Sequence, residues 1–285
     1  MPIDIDKLTA FAIPSARQVL TPNDIALYAL SVGMGQNPLD ANDLGFVDPL
    51  QGPKVMPSMV LVMAHPGFWM GDPASGIDPG GVLHATQAFE ILAPLPQAGA
   101  VESRSRVAGV IDKGPGKPAL VLTETDLFND TGTQFARLDR TTFIRGGGGF
   151  GGSDTGGAPR VEMPTTPPDL TIDLPTRPEQ ALLYRLNGDL NPLHSDPALA
   201  HKMGFAAPIL HGLCTMGVVT RAVMGRLANN DPSRLRALQL RFSNPVMPGE
   251  TIRTELWNDG HFRAFVPARD ALVIDGGLAR ISAGA

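Results

Sequence analysis

Residues 184–194 read Y-R-L-N-G-D-L-N-P-L-H, and residues 28–40 read Y-A-L-S-V-G-M-G-Q-N-P-L-D. Tyr28 and Tyr184 are the only tyrosines among 285 residues. Each opens a segment that runs on to Asn-Pro-Leu. Upstream, Thr21-Pro22 with Asp24, and Thr176 with Pro178 and Glu179, both read as helix N-caps. Downstream, P-K-V-M-P-S-M-V-L-V-M (53–63) aligns with P-I-L-H-G-L-C-T-M-G-V (208–218), and F-E-I-L-A-P-L-P (89–96) with F-S-N-P-V-M-P (242–248). The offset stays between 152 and 156 residues, so the chain reads as two copies of one unit.

The first copy spans residues 1–145, a connector 146–170, and the second copy 171–285. In the second copy a capped helix covers about 177–187. A loop (188–197), a short helix near 198–203 and an apolar helix over about 212–228 follow. Strands are expected near 236–243, 250–257, 261–268 and 271–282. The first copy has the same order, with strands near 82–92, 100–111, 118–126 and 134–144. One apolar helix followed by an antiparallel meander is an α+β unit whose sheet can wrap the helix. Gly (32) and Pro (27) make up about a fifth of the chain, above the usual share but below that of low-complexity sequence. They punctuate short elements and fill the connector.

The net charge of −5 excludes a generally basic, nucleic-acid-binding surface. A single cysteine, Cys214, rules out an internal disulfide framework and a multi-cysteine zinc site. Two acids precede any apolar run at the N-terminus, unlike a signal peptide. Met56–Ala64 is too short to span a bilayer. The final residues carry no peroxisomal tripeptide. A cytoplasmic location with no membrane partner is the expectation.

Asp189, Asn191 and His194 sit in a Gly/Pro-punctuated loop between helices, where catalytic groups concentrate. An Asp with a His five residues on suits a general acid/base pair gripping one water. The alternative for the same residues is an Asx-turn beside a surface histidine.

The stretch 184–215 resembles the hydratase-2 motif of the MaoC-like, R-specific 2-enoyl-CoA hydratases. L-H-A-T-Q-A-F-E-I-L-A-P-L-P (83–96) and F-I-R-G-G-G-G-F-G-G (143–152) resemble that family too, so the likeness covers nearly the whole chain. It implies a double hot-dog fold: two antiparallel sheets, each wrapping a long apolar helix. It also implies reversible hydration of trans-2-enoyl-CoA to (3R)-3-hydroxyacyl-CoA, within fatty-acid metabolism. By that resemblance Asp189 and His194 are the acid/base pair, Asn191 orients them, and the Gly212 N–H stabilises the thioester oxyanion. Coenzyme A enters as part of the substrate, and no separate cofactor or metal is implied. A homodimer is a further expectation from the family.

In the first copy Asp40 stands where His194 does, Gly35 and Gln36 replace Asp189, and Pro57 replaces Gly212. Proline has no N–H to donate, so one active site per chain is expected. By resemblance the first copy accommodates the acyl chain, with Met56, Met59, Met63, Phe68, Trp69 and Met70 as candidate lining. Arg185, Lys202 and Arg160 are candidates for the coenzyme A phosphates. The run Gly147–Gly152 fits G-x-G-x-x-G, yet no helix-forming stretch follows, so it reads as a structural loop. His194, His201 and His211 have no compact metal-ligand spacing. His211 reads as support for the loop, while His65, His84 and His261 carry no visible context. Two other readings stay open: a hot-dog acyl-CoA thioesterase, and a non-catalytic acyl-CoA-binding protein.

Overall fold

Stretches such as A-L-V-L-T-E-T-D-L-F-N alternate buried and half-buried positions over most of their length and form strands. In the computed structural model, which describes residues 2–153, 155–157 and 160–282, ten strands build one antiparallel sheet. The first half supplies β1 (Ala16–Leu20), β2 (Val82–Ile91), β3 (Gly99–Asp112), β4 (Ala119–Asn129) and β5 (Gln134–Ile144). The second supplies β6 (Leu170–Pro175), β7 (Leu235–Phe242), β8 (Thr251–Leu256), β9 (His261–Val266) and β10 (Ala271–Ile281). Their order is β1-β3-β4-β5-β2-β7-β10-β9-β8-β6. That order is palindromic: every first-half strand has its second-half counterpart at the mirrored place. β2 and β7 meet at the centre, from Thr86 opposite Arg241 to Glu90 opposite Ala237.

The eight strands expected from alternation are all present, with ends shifted by three residues at most. β1 and β6, which terminate the sheet, are additional. β1 has five residues and β6 six, and both lie outside the meander that follows each apolar helix.

Among the described residues six α-helices accompany the sheet: α1 (Ile5–Ala10), α2 (Pro22–Ser31), α3 (Ala41–Val47), α4 (Gln180–Tyr184), α5 (Pro197–Lys202) and α6 (Gly212–Leu227). Thr21 and Asp24 form the expected capping box on α2. Thr176 does not cap α4. Its hydroxyl donates to the Glu250 carbonyl at 2.7 Å and accepts from the Gly249 N–H at 2.9 Å, fastening the β7–β8 turn. The Gln180 side chain instead accepts from the Arg177 N–H at 2.9 Å.

The apolar helix expected in both copies is long only in the second. Its first-copy counterpart is a 3-10 turn over Pro57–Leu61. Ala64 then takes a positive φ of 46°, and Pro66 biases His65 away from helical backbone.

α6 is buried along most of its length, and its midpoint touches the first half. A Cβ at Gly217 would lie 2.4 Å from Val32 Cγ1 and 3.2 Å from the Tyr28 hydroxyl. Only glycine lets the helix cross the end of α2 so closely. Around that crossing, Gln180 Nε2 donates to the Ser31 carbonyl (2.6 Å), Asn187 Nδ2 to Ser31 Oγ (2.9 Å) and Arg221 to the Val32 carbonyl (3.2 Å).

The glycine run is explained by an internal anion. Asp112 Oδ1 accepts from the N–H groups of Gly114 and Gly149, and Oδ2 from those of Gly151 and Gly152, at 2.7–3.3 Å. These bonds, Gly149 foremost, hold the Asp112 carboxyl down at about 2. The loop is a cradle filled by the protein's own carboxylate.

Gly217→Ala should destabilise the fold by about 1–3 kcal/mol through overpacking against Val32. Thermal unfolding measures this, and an unchanged Tm would show that the helix crossing can relax.

Candidate active site

The loop that follows α4 is shaped by its own side chains. Gly188, with φ of 113°, ends a 3-10 turn over Arg185–Asn187. Asp189 Oδ1 then accepts from the Asn191 N–H at 3.2 Å, and Asn191 Oδ1 from the Leu193 N–H at 3.1 Å. Asn191 thereby caps a second 3-10 turn, Pro192–His194, that carries His194 inward. The Asx-turn is present, but His194 is buried rather than on the surface.

His194 Nδ1 lies 2.8 Å from the Ile209 carbonyl. A carbonyl only accepts, so Nδ1 carries the hydrogen and Nε2 holds the lone pair. His211 Nε2 lies 3.2 Å from the Asp189 carbonyl, which leaves its buried Nδ1 without a partner among the described residues. The two imidazoles stack, with centroids 3.7 Å apart and planes 26° apart. Tyr184 packs on His211 at 5.0 Å, and Tyr28 meets Tyr184 edge-on at 6.1 Å. The two tyrosines that mark the repeat thus lie in one column of rings that ends on the histidines.

A carboxylate oxygen of Asp189 and one ring nitrogen each of His194 and His211 lie within 4.8 Å of one another. Such a trio can hold a water or a metal by distance alone. The stacking suits water better than a metal, because imidazole binds an ion in its ring plane and these rings lie face to face, 26° between planes.

Gly212 opens α6 directly after His211, and no side chain caps that helix start. Its first-turn N–H groups are therefore oriented donors at the positive end of the helix dipole. The ring of Phe242 comes within 3.3 Å of where a Gly212 Cβ would stand, so this approach is kept to backbone only.

The remaining candidates divide. Arg185 lies close enough to His194 and His211 to act on both, and its guanidinium donates to the Leu190 carbonyl at 3.3 Å. Lys202 is exposed at the end of α5. Arg160 is engaged elsewhere, 2.9 Å from Asp275 on β10, beside Arg241. Met56, Met59 and Met63 belong to the main core. Beyond Gly67 the chain crosses to a smaller core with Ile3, Leu8 and Ile77, where Met70 and Trp69 pack. Trp69 stacks on Phe11 at 5.6 Å, and Phe68 is exposed. The structure does not gather these six side chains around one space. His211 and Tyr184 belong to the site more closely than their spacing disclosed. Cys214 is buried, and burial raises its thiol well above the ordinary range.

Burial pushes the His194 pKa below 6.5, opposed by the Ile209 carbonyl and the Asp189 charge. His211 is pushed down by burial and then by His194. Both are neutral near pH 7. The unfolded chain therefore binds protons first as pH falls. Stability should be lost progressively below about pH 6.5 through the folded-state values. Tm measured from pH 7 to pH 4 tests this, and His211→Phe, which keeps a stacking ring, should flatten the slope.

The MaoC like domain family matches residues 160–268, and the MFE-2 hydratase 2 N-terminal domain family matches 19–146. An enoyl-CoA hydratase of Mycobacterium tuberculosis is 36% identical over 99% of this chain and 100% of its own. The peroxisomal multifunctional enzyme type 2 of Drosophila melanogaster is 38% identical over 89% of this chain, which spans 44% of that longer protein. The crystal structure of a MaoC-like dehydratase from Phytophthora capsici superposes with a TM-score of 0.86 at 33% identity, over 99% of this chain and 100% of that one. A Mycobacterium tuberculosis protein described as a double hotdog fold shares the architecture, with a TM-score of 0.58 at 14% identity. The mirrored sheet, the paired family matches and these relatives agree: the chain belongs to the MaoC-like hydratase-2 family of double hot-dog proteins.

Proposed function

We propose that the protein catalyses reversible hydration of a trans-2-enoyl-CoA to the (3R)-3-hydroxyacyl-CoA. The observation that carries this is the Asp189–His194 pair gathered within 4.8 Å, beside the uncapped start of α6. A water between the two is gripped by the Asp189 carboxylate and by the lone pair of His194 Nε2. As its oxygen bonds to C3 of the enoyl group, Nε2 takes one water proton. Electron density moves through C2 to the thioester oxygen, where the Gly212 N–H stabilises it. The imidazolium formed beside Asp189 returns the proton to C2, so the added atoms sum to one water and His194 ends neutral. The depressed His194 pKa keeps Nε2 available at neutral pH.

Asn191 holds the turn that aims His194, and His211 backs the imidazole from the opposite face. Coenzyme A arrives with the substrate, and no resident cofactor takes part. Arg185 and Lys202 are the cations available to its phosphates on this side of the molecule. Among the described residues no helix is long and apolar enough to cross a membrane. The reading extends to a cytoplasmic enzyme working as a homodimer, which fractionation and size-exclusion chromatography would test.

Incubation with crotonyl-CoA should remove the enoyl absorbance without releasing thiol; free coenzyme A without hydroxyacyl product would indicate a thioesterase instead. Asp189→Ala and His194→Ala should each lower kcat by roughly 10²–10⁴-fold with the fold intact. Wild-type turnover in either variant refutes the assignment. Gly212→Pro copies the first-copy residue Pro57. Proline is tolerated at the first helical position, so the helix should persist, while loss of the N–H together with the ring placed against Phe242 costs at least about 10²–10³-fold in kcat. Far-UV circular dichroism and steady-state kinetics on the same sample separate the two effects.

A further inference from the structure

A polar patch interrupts the apolar inner face of the first half. Residues opposite one another on antiparallel strands share a face. One such row is Thr123 on β4, Arg140 on β5, Gln87 on β2 and Leu240 on β7. The next is Val121, Thr142 and His84. Val121 and Leu240 are core residues, so both rows face inward. Within them Thr123 Oγ1, Thr142 Oγ1, His84 Nε2 and Arg140 Nε are buried and find no hydrogen-bond partner among the described residues. Thr123 and Thr142 are only 7% and 0% exposed. The Gln87 amide nitrogen is spent on the Ala88 and Asp139 carbonyls, at 3.0 and 3.1 Å, and of the four groups its side chain acts only on His84.

Four orphan polar atoms in one patch are costly unless something pairs with them. The patch adjoins the active site. The His84 ring lies edge-on to Phe242 at 4.8 Å, and Phe242 is the ring that flanks Gly212. Arg140 is near enough to Asp189 for their charges to act on one another. Arg140 and His84 are both partly exposed, so the patch is open on one side.

We propose that Thr123, Thr142, Arg140 and His84 form a subsite that receives an oxygen atom carried on the acyl group of the substrate. This rests on the hydratase reading of Asp189 and His194. Guanidinium groups only donate and hydroxyls can donate, so the matching ligand atom is an acceptor: a keto, hydroxyl or carboxylate oxygen. The pantetheine arm must lead outward to place its nucleotide in solvent, whereas the patch lies on the inner face of the sheet. The acceptor therefore belongs to the acyl side. A plain hydrocarbon chain would leave all four atoms unsatisfied.

The test is calorimetric binding of saturated acyl-CoA esters of equal length, namely octanoyl-CoA and its keto, hydroxy and terminal-carboxylate derivatives. Wild-type protein should bind at least one oxygenated ester roughly tenfold more tightly than octanoyl-CoA, the effect of one charge-assisted hydrogen bond. Arg140→Met should abolish that preference, and Arg140→Lys should restore part of it. Thr142→Val should reduce the preference while raising the Tm of the unliganded protein, because an orphan hydroxyl is gone. Absence of any preference in the wild type overturns the proposal. So does an equal loss for all esters in Arg140→Met, which would place the acceptor on the pantetheine arm, and so does a lower Tm in Thr142→Val with the preference unchanged, which would mean buried water only. Crotonyl-CoA hydration is measured in parallel. If it fails while the preference persists, the reaction assignment falls and the subsite stands.

Discussion

The ladder between β2 and β7 is the contact on which the other features depend. Five residues of backbone, Thr86 to Glu90 against Ala237 to Arg241, turn two five-stranded sheets into one. Backbone pairing sets register without regard to side-chain identity, which suits two copies whose sequences have drifted apart. Once the ladder is fixed, α6 from the second copy can lie against α2 from the first, with Gly217 allowing the approach. The same placement brings Phe242, at the end of β7, between Gly212 and His84. The ion pair of Arg280 with Glu90 lies across the same seam at the surface, where it adds little.

The two halves differ in what they carry on the shared pattern. The second copy keeps a long helix with a free N-terminus and a loop that folds on its own Asx bonds. The first copy keeps the sheet and Asx bonds of its own, Leu39 N–H to Asn37 Oδ1 at 3.1 Å and Asn42 N–H to Asp40 Oδ1 at 2.9 Å, but has only a 3-10 turn in place of the long helix. Three of its strands are longer than their counterparts, β3 most of all at 14 residues against six for β8, while its helix is one 3-10 turn. Tyr28 still performs the packing half of the work of its twin. It closes the column of rings behind Tyr184 and His211 and so buttresses the histidine whose nitrogen faces the site.

Much of this was legible in the sequence because it depends on local pattern. Period-two alternation located eight strands, and Pro and Gly located the loops. The D-L-N-P-L-H segment located Asp189, Asn191 and His194, whose contacts are with immediate neighbours. What the sequence hid depends on distance in space. The early end of the first-copy helix shows only in space, in the positive φ of Ala64 just ahead of Pro66. Thr176 looked like a cap, yet bonds to Glu250 across the sheet. Asp112 is a lone acid in the sequence and the anchor of four glycine N–H groups in space. Arg140 and His84 occupy inward positions of recognisable strands, so their alternation with Leu138 and Phe89 was the one available signal.

The central ladder also bears on why the copies share one chain. Apart, each would expose an open strand edge, at β2 or at β7, with apolar rows beside it, the arrangement that promotes promiscuous pairing. Two separate chains could meet there correctly only as fast as concentration allowed. A covalent tether makes the encounter intramolecular, at an effective concentration in the millimolar range for short flexible linkers. Residues 146–170 therefore serve as a device for edge capping as well as a connection. The glycine cradle around Asp112 pins the start of that tether beside β3, at the far side of the first half from the seam it keeps closed.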